Sequence, residues 1–153
     1  MIITKLFKDT YQIKMPNQII DIYNQVKVKE LTKEIIKKIN KKNKLYGLTY
    51  LEIYQDINYG TIIKVKNDKT IYYKKDEIEI KIIIHTETPL LYKIDYFDIK
   101  KDYKNKIYYY KNNFYLELEN KINKDKYLKL LEVSEVIYED THQIINNGLK
   151  IKV

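Results

Sequence analysis

Apolar and polar residues alternate along this chain in short runs, each cut off by turn-prone residues, and that pattern restricts it to brief strands and a few helices. Ile78, Ile80, Ile82 and Ile84 fall on one side of a strand whose other side carries Glu77, Glu79 and Lys81, the two-residue period of a pleated backbone. Ile2 to Phe7 and Thr10 to Met15 repeat the alternation around Lys8-Asp9, which predicts an N-terminal hairpin ending at Pro16. Thr49 to Gln55 and Thr61 to Lys66 predict a second hairpin across Asp56 to Gly60. Between the hairpins the period changes. Leu31, Ile35, Ile36 and Ile39 have helical spacing, with Glu30 and Glu34 early and Lys37, Lys38, Lys41 and Lys42 late, a charge order that complements the helix dipole. Asn17 is expected to cap a shorter helix through Ile19, Ile20, Ile22 and Tyr23, and Gly47 to close the segment. Residues 1–68 thus read as a β-β-α-β-β unit.

Asn67-Asp68-Lys69 is polar, turn-prone and near the middle of the 153 residues, so the boundary is placed there. Residues 69–88 read as connecting strands, Ile71 to Tyr73 and Ile78 to Ile84, with Thr88-Pro89 breaking the ladder because proline has no N–H to donate. In 89–153 the expected order begins with a strand from Leu91 to Tyr96 and a helical turn around Phe97 to Tyr103. A hairpin of Lys106 to Tyr110 and Phe114 to Glu119 follows, turning at Asn112-Asn113. A helix over Asn123 to Val136 would carry Tyr127, Leu130, Leu131 and Ser134 on one side, and strands near Thr141 to Ile145 and Leu149 to Val153 would flank Gly148. The fold class is α+β, two small units of antiparallel strands packed on helices, since hairpin-length connections cannot join parallel neighbours.

Few catalytic parts are present. The chain has no cysteine, which excludes disulfides and thiolate chemistry. Imidazole comes only from His85 and His142, and Ser134 is the one serine. Glycines at 47, 60 and 148 alone cannot build a phosphate-cradling loop. His85-Thr86-Glu87 and Glu139-Asp140-Thr141-His142 each put acid near imidazole, but a local pair without a third partner reads as a strand-end ion pair or a solvated histidine. A non-enzyme without metal or cofactor is expected. Lysines and acids interrupt every apolar run well short of the roughly 18 residues of a membrane helix, and the start of the chain lacks a signal-peptide pattern, which points to the cytoplasm.

The 29 basic residues against 21 acidic ones give +8, a sign that suits nucleic acid. All 29 are lysine, however, and alanine is absent too, so an AT-rich genome accounts for much of the excess. Without arginine the chain has no bidentate guanine reader. Lys64, Lys66, Lys69, Lys74 and Lys75 with Tyr72 and Tyr73 are the ingredients of a single-strand-binding surface; interspersed acids favour a solvated face instead. Among the 17 tyrosines, alternation in the 106–119 hairpin puts Phe114, Leu116 and Leu118 toward a core at Leu130 and Leu131. Tyr108, Tyr110, Tyr115, Glu117 and Glu119 then face outward as a protein-docking patch.

Glu30-Leu31 through Ile39, Gly47 and the strand pair ending Gly60-Thr61-Ile62-Ile63-Lys64-Val65-Lys66 resemble the N-terminal domain of the MecA family of adaptors. Ile107 to Leu118, Leu130-Leu131-Glu132, Thr141-His142-Gln143 and Gly148 to Ile151 are similar to that family's C-terminal domain and its tyrosine-rich hairpin. The resemblance implies a non-catalytic adaptor, its first domain holding a substrate protein and its second docking on a Clp-type AAA+ unfoldase in regulated proteolysis. Two contacts on one chain would raise the local concentration of substrate at the unfoldase. The rival readings are a basic nucleic-acid-binding protein and an inhibitor of a single protein target.

Overall fold

The computed structural model describes residues 1–68, 77–95 and 105–151; the expected strand at Ile71 to Tyr73 and helical turn at Phe97 to Tyr103 lie outside them. The fold is α+β. Two compact units form, Met1–Gln55 with Tyr59–Thr86, and Asp56–Asn58 with Glu87–Val153.

In the first unit the alternating segments become β1 (Ile2–Phe7), β2 (Thr10–Pro16), β3 (Gly47–Asp56), β4 (Gly60–Asp68) and β5 (Ile78–His85), in the sheet order β1-β2-β4-β3-β5. Helix α1 (Gln25–Asn40) lies on one face. Its Val28, Ile35, Ile36 and Ile39 pack with Tyr11, Ile13 and Met15 of β2, Leu51 and Ile53 of β3, and Ile63 and Val65 of β4. Burial of this kind contributes about 1.5–3 kcal/mol per large side chain, so the stripe at helical spacing, more than helix propensity, holds α1 in place.

Several expectations need correction. The segment from Asn17 is not helical: its carbonyls bond sheet side chains, Gln18 O to Thr61 Oγ1 (2.6 Å) and Ile20 O to Gln55 Nε2 (2.9 Å), while Ile20 and Ile22 pack on the core. Asn24 is the true cap, its side chain accepting from Lys27 N at 3.2 Å. The helix therefore starts earlier than expected, and Glu30 and Glu34 sit within it, Glu34 pairing with Lys38 at 3.1 Å. Asn67 is not a linker. It is 5 % exposed, its Nδ2 donates to Tyr46 O and Thr49 Oγ1, and its N–H donates to Asp9 O. The 69–88 segment does more than connect, because β5 pairs with β3 in parallel, Gly47 opposite Ile78 and Tyr54 opposite His85. That is the one parallel pair recorded among the described strands, and it needs the crossover that separates the two segments.

The second unit is a sheet in the order β10-β7-β8-β6-β9, formed by β6 (Leu91–Ile94), β7 (Asn105–Tyr110), β8 (Asn113–Leu118), β9 (Ser134–Ile137) and β10 (Leu149–Ile151). All its pairs are antiparallel. Helix α2 (Lys124–Val133) ends earlier than expected: the Ser134 hydroxyl donates to Leu130 O at 2.6 Å, and Ser134–Ile137 turn into a strand on β6. Thr141–Asn147, expected as a strand, is helix α3.

Candidate functional site

The tyrosine hairpin turns on Lys111 and Asn112, one residue earlier than expected, both with positive φ (45° and 66°) as a tight two-residue hairpin loop requires. Register then sets the faces. Tyr108 lies opposite Tyr115 and Tyr110 opposite Asn113; Ile107 lies opposite Leu116 and Tyr109 opposite Phe114. Tyr108, Tyr110, Tyr115 and Glu117 do share one face, as alternation predicts. That face is not open. Tyr108 is 5 % exposed and clusters with Leu91 and Ile144, and Tyr110, Tyr115, Ile137 and Ile145 pack around them. Helix α3 supplies Ile144 and Ile145 to this layer, so Tyr108 is core and leaves the docking patch.

The Tyr108 hydroxyl donates to Glu117 Oε2 at 2.8 Å. Burial, and then this bond, push its pKa up to about 12. Tyr110 and Tyr115 remain half-buried, Lys111 Nζ stands 5.2 Å from the Tyr110 ring centroid, and exposed Glu119 lies 3.5 Å from Lys106. What is left of the patch is a mixed-charge rim around two partly exposed rings.

The opposite face carries Ile107, Leu116, Tyr92 and Ile94, where Tyr127 of α2 packs against Tyr92; Leu130 of α2 is buried as well. Tyr92 is wholly buried, donates to Asp56 Oδ2 at 3.0 Å and meets the Tyr127 hydroxyl at 2.8 Å, with the two rings edge-on. Burial first, and next the Asp56 carboxylate, hold its phenol far above the ordinary range. A phenol so held stays protonated and serves as a fixed donor, a structural part and not an acid. Alongside it, Asn58 donates to Asn120 O and accepts from Ile122 N.

In the first unit Lys64 is half-buried and Lys66 exposed on β4; Lys69, Tyr72, Tyr73, Lys74 and Lys75 lie outside the described residues. His85 finds its acid across the sheet. Its Nε2 is 3.3 Å from Glu52 Oε1, and its ring stacks on Tyr54 with centroids 4.2 Å apart. Glu87 is the acid nearest to it in sequence, and nothing in the sequence reveals the parallel β3–β5 register that brings Glu52 and His85 together. The pair becomes a salt bridge when the imidazole is protonated, and it fastens β5 to β3. His142 is exposed on α3. Ser134, the one serine, spends its proton on a helix carbonyl.

A cleft of about 800 Å³ beside β6 and the hairpin turn is lined by Lys93, Asp95, Asn112, Phe114, Glu132 and Glu135 among others. Its charges are mixed, and among the described residues no three His, Asp or Glu side chains converge to hold a metal ion. Among the same residues no helix is long and apolar enough to cross a membrane. No protein-family model, curated protein or solved structure matches this chain.

Proposed function

We propose that the chain is a non-catalytic protein-binding adaptor of the kind its resemblance to the MecA family implies. The first unit holds a substrate protein, and the second docks on a Clp-type AAA+ unfoldase through Tyr110, Tyr115, Glu117 and Glu119. One observation carries the reading: each of the two compact units has its own sheet, helix and buried core, which is what a tether with two separate grips requires. Exposed Ile2, Leu6 and Phe7 on β1 give the first grip apolar contact area.

Titrating the full chain with the isolated N-terminal domain of a Clp-type unfoldase tests the second grip, with Tyr110→Ala/Tyr115→Ala as the variant. Binding that persists in high salt and weakens about tenfold or more in the variant supports the adaptor. Absence of unfoldase binding, together with affinity for single-stranded DNA that falls linearly in log salt, would replace it with the nucleic-acid reading. Salt-insensitive binding to some other single protein, without the unfoldase, would make it an inhibitor.

A further inference from the structure

Both edges of the first sheet are strands with exposed isoleucines, but only one is broken by a bulge. β1 has a register shift between Lys5 and Phe7, an irregularity that blunts an edge against pairing. β5 keeps an unbroken register with β3 from Ile78 to His85, and on it Ile78, Ile82 and Ile83 are each more than a third exposed. Glu77 O accepts from Gly47 N, so the odd-numbered residues direct their backbone groups toward β3. Ile78, Ile80, Ile82 and Ile84 direct theirs outward. Among the described strands β5 stands at the end of the order.

We infer that β5 is a self-pairing edge that joins two copies of this chain antiparallel about a two-fold axis at Ile80. Side-chain charge selects that register. Centring on Ile80 sets Glu79 against the partner's Lys81 twice, Ile78 against the partner's Ile82 twice, and Ile80 against its own copy. Centring on Glu79 or on Lys81 sets like charges directly opposite, which is destabilising; centring on Ile82 forfeits the Glu79–Lys81 pairs and sets Lys81 against Ile83, whereas centring on Ile80 keeps both pairs and leaves Glu77 opposite Ile83. In the favoured register the isoleucine pairs exchange the backbone hydrogen bonds. The Glu79–Lys81 pairs then occupy the non-bonded positions, where side chains approach most closely. Both residues are exposed. Glu79 has a contact within its own chain and keeps acceptor capacity, since a carboxylate offers about four lone-pair sites. Ile80 and Ile84 already pack against the α1 core, so the paired edges extend one apolar layer from copy to copy, with the two-fold self-complementarity of an isologous interface.

Sedimentation of the full chain across the micromolar range tests the pairing, using the native sequence, Glu79→Lys, Lys81→Glu and an equal mixture of the two variants. The native chain is expected to dimerise. Each variant places like charges opposite each other twice and should weaken dimerisation about tenfold or more. The mixture restores both opposite-charge pairs and should recover the dimer, a result that loss of fold cannot imitate; matching circular dichroism melts complete the control. A native chain that stays monomeric overturns the inference, as do single variants that dimerise normally or a mixture of folded variants that remains monomeric.

Discussion

Replacing Tyr108 with alanine tests whether the tyrosine face of the second sheet is core. The ring is 5 % exposed between Leu91 and Ile144, and Gly148 approaches it so closely that a Cβ there would stand 3.3 Å from Tyr108 Cβ. Removing an aromatic ring from such a site should cost about 3–5 kcal/mol, the lost transfer energy plus an unfilled cavity. Tyr108→Phe keeps the ring and loses only the bond to Glu117, whose half-buried carboxylate can regain water, so about 1 kcal/mol is expected. Titration adds a second signature. The unfolded phenol ionises near 10 and the folded one near 12, so the fold binds the proton more tightly; this contribution to stability is complete below about pH 10 and is lost as pH rises toward about 12. Tyr108→Phe should make stability fall less steeply across that window. Urea melts followed by circular dichroism, at neutral pH and through the alkaline range, measure both effects. An alanine variant that loses less than about 1 kcal/mol would refute the buried assignment and return Tyr108 to the surface.

Gly60→Ala should cost about 2 kcal/mol or more in the same melts, because Gly60 has φ +113° and a Cβ would stand 2.6 Å from Met15 O and 2.7 Å from Asn17 N. Asn24→Ala removes the cap of α1 and should cost about 1 kcal/mol, while Asn17→Ala, outside any helix, should show no capping loss. Tyr92→Phe and Tyr127→Phe, combined in a double-mutant cycle, should couple by about 0.5 kcal/mol or more through their 2.8 Å hydroxyl contact; additive losses would show that the contact carries no energy of its own.

The hairpins and α1 were legible because each writes its signal within a few consecutive residues. Alternation gives β1–β2, β3–β4 and β7–β8, and the Leu31, Ile35, Ile36 and Ile39 stripe gives α1. What failed depended on partners far along the chain. The stripe from Tyr127 to Ser134 continues past the real end of α2, yet pairing to β6 captures Ser134–Ile137, where Val136 and Ile137 are β-branched. Adjacent Ile144 and Ile145 suit strand and helix equally. Asp140 opens α3 from a left-handed conformation without a side-chain capping bond, so the usual start signal is missing. Taken as a strand, residues 141–145 leave the Tyr108 face open; as α3 they cover it. The candidate site was accordingly half readable: alternation grouped the tyrosines correctly, but which group faced water was decided by an element in another part of the chain.

The pairing of β2 with β4 also governs how the first unit can assemble. Thr10 meets Lys66 and Pro16 meets Gly60, so the central ladder forms only after the chain has closed a loop holding all of α1 and β3. Local hairpins form within microseconds, whereas a closure of this span pays its entropy before any contact rewards it. A β1–β2 hairpin formed first must wait with its apolar side uncovered until β4 arrives, and the Asn17 N–H to Tyr59 O bond closes the end of the ladder nearest Gly60. Substitutions at Ile63 and Val65, which meet Ile13 and Tyr11 across this ladder, should therefore slow refolding.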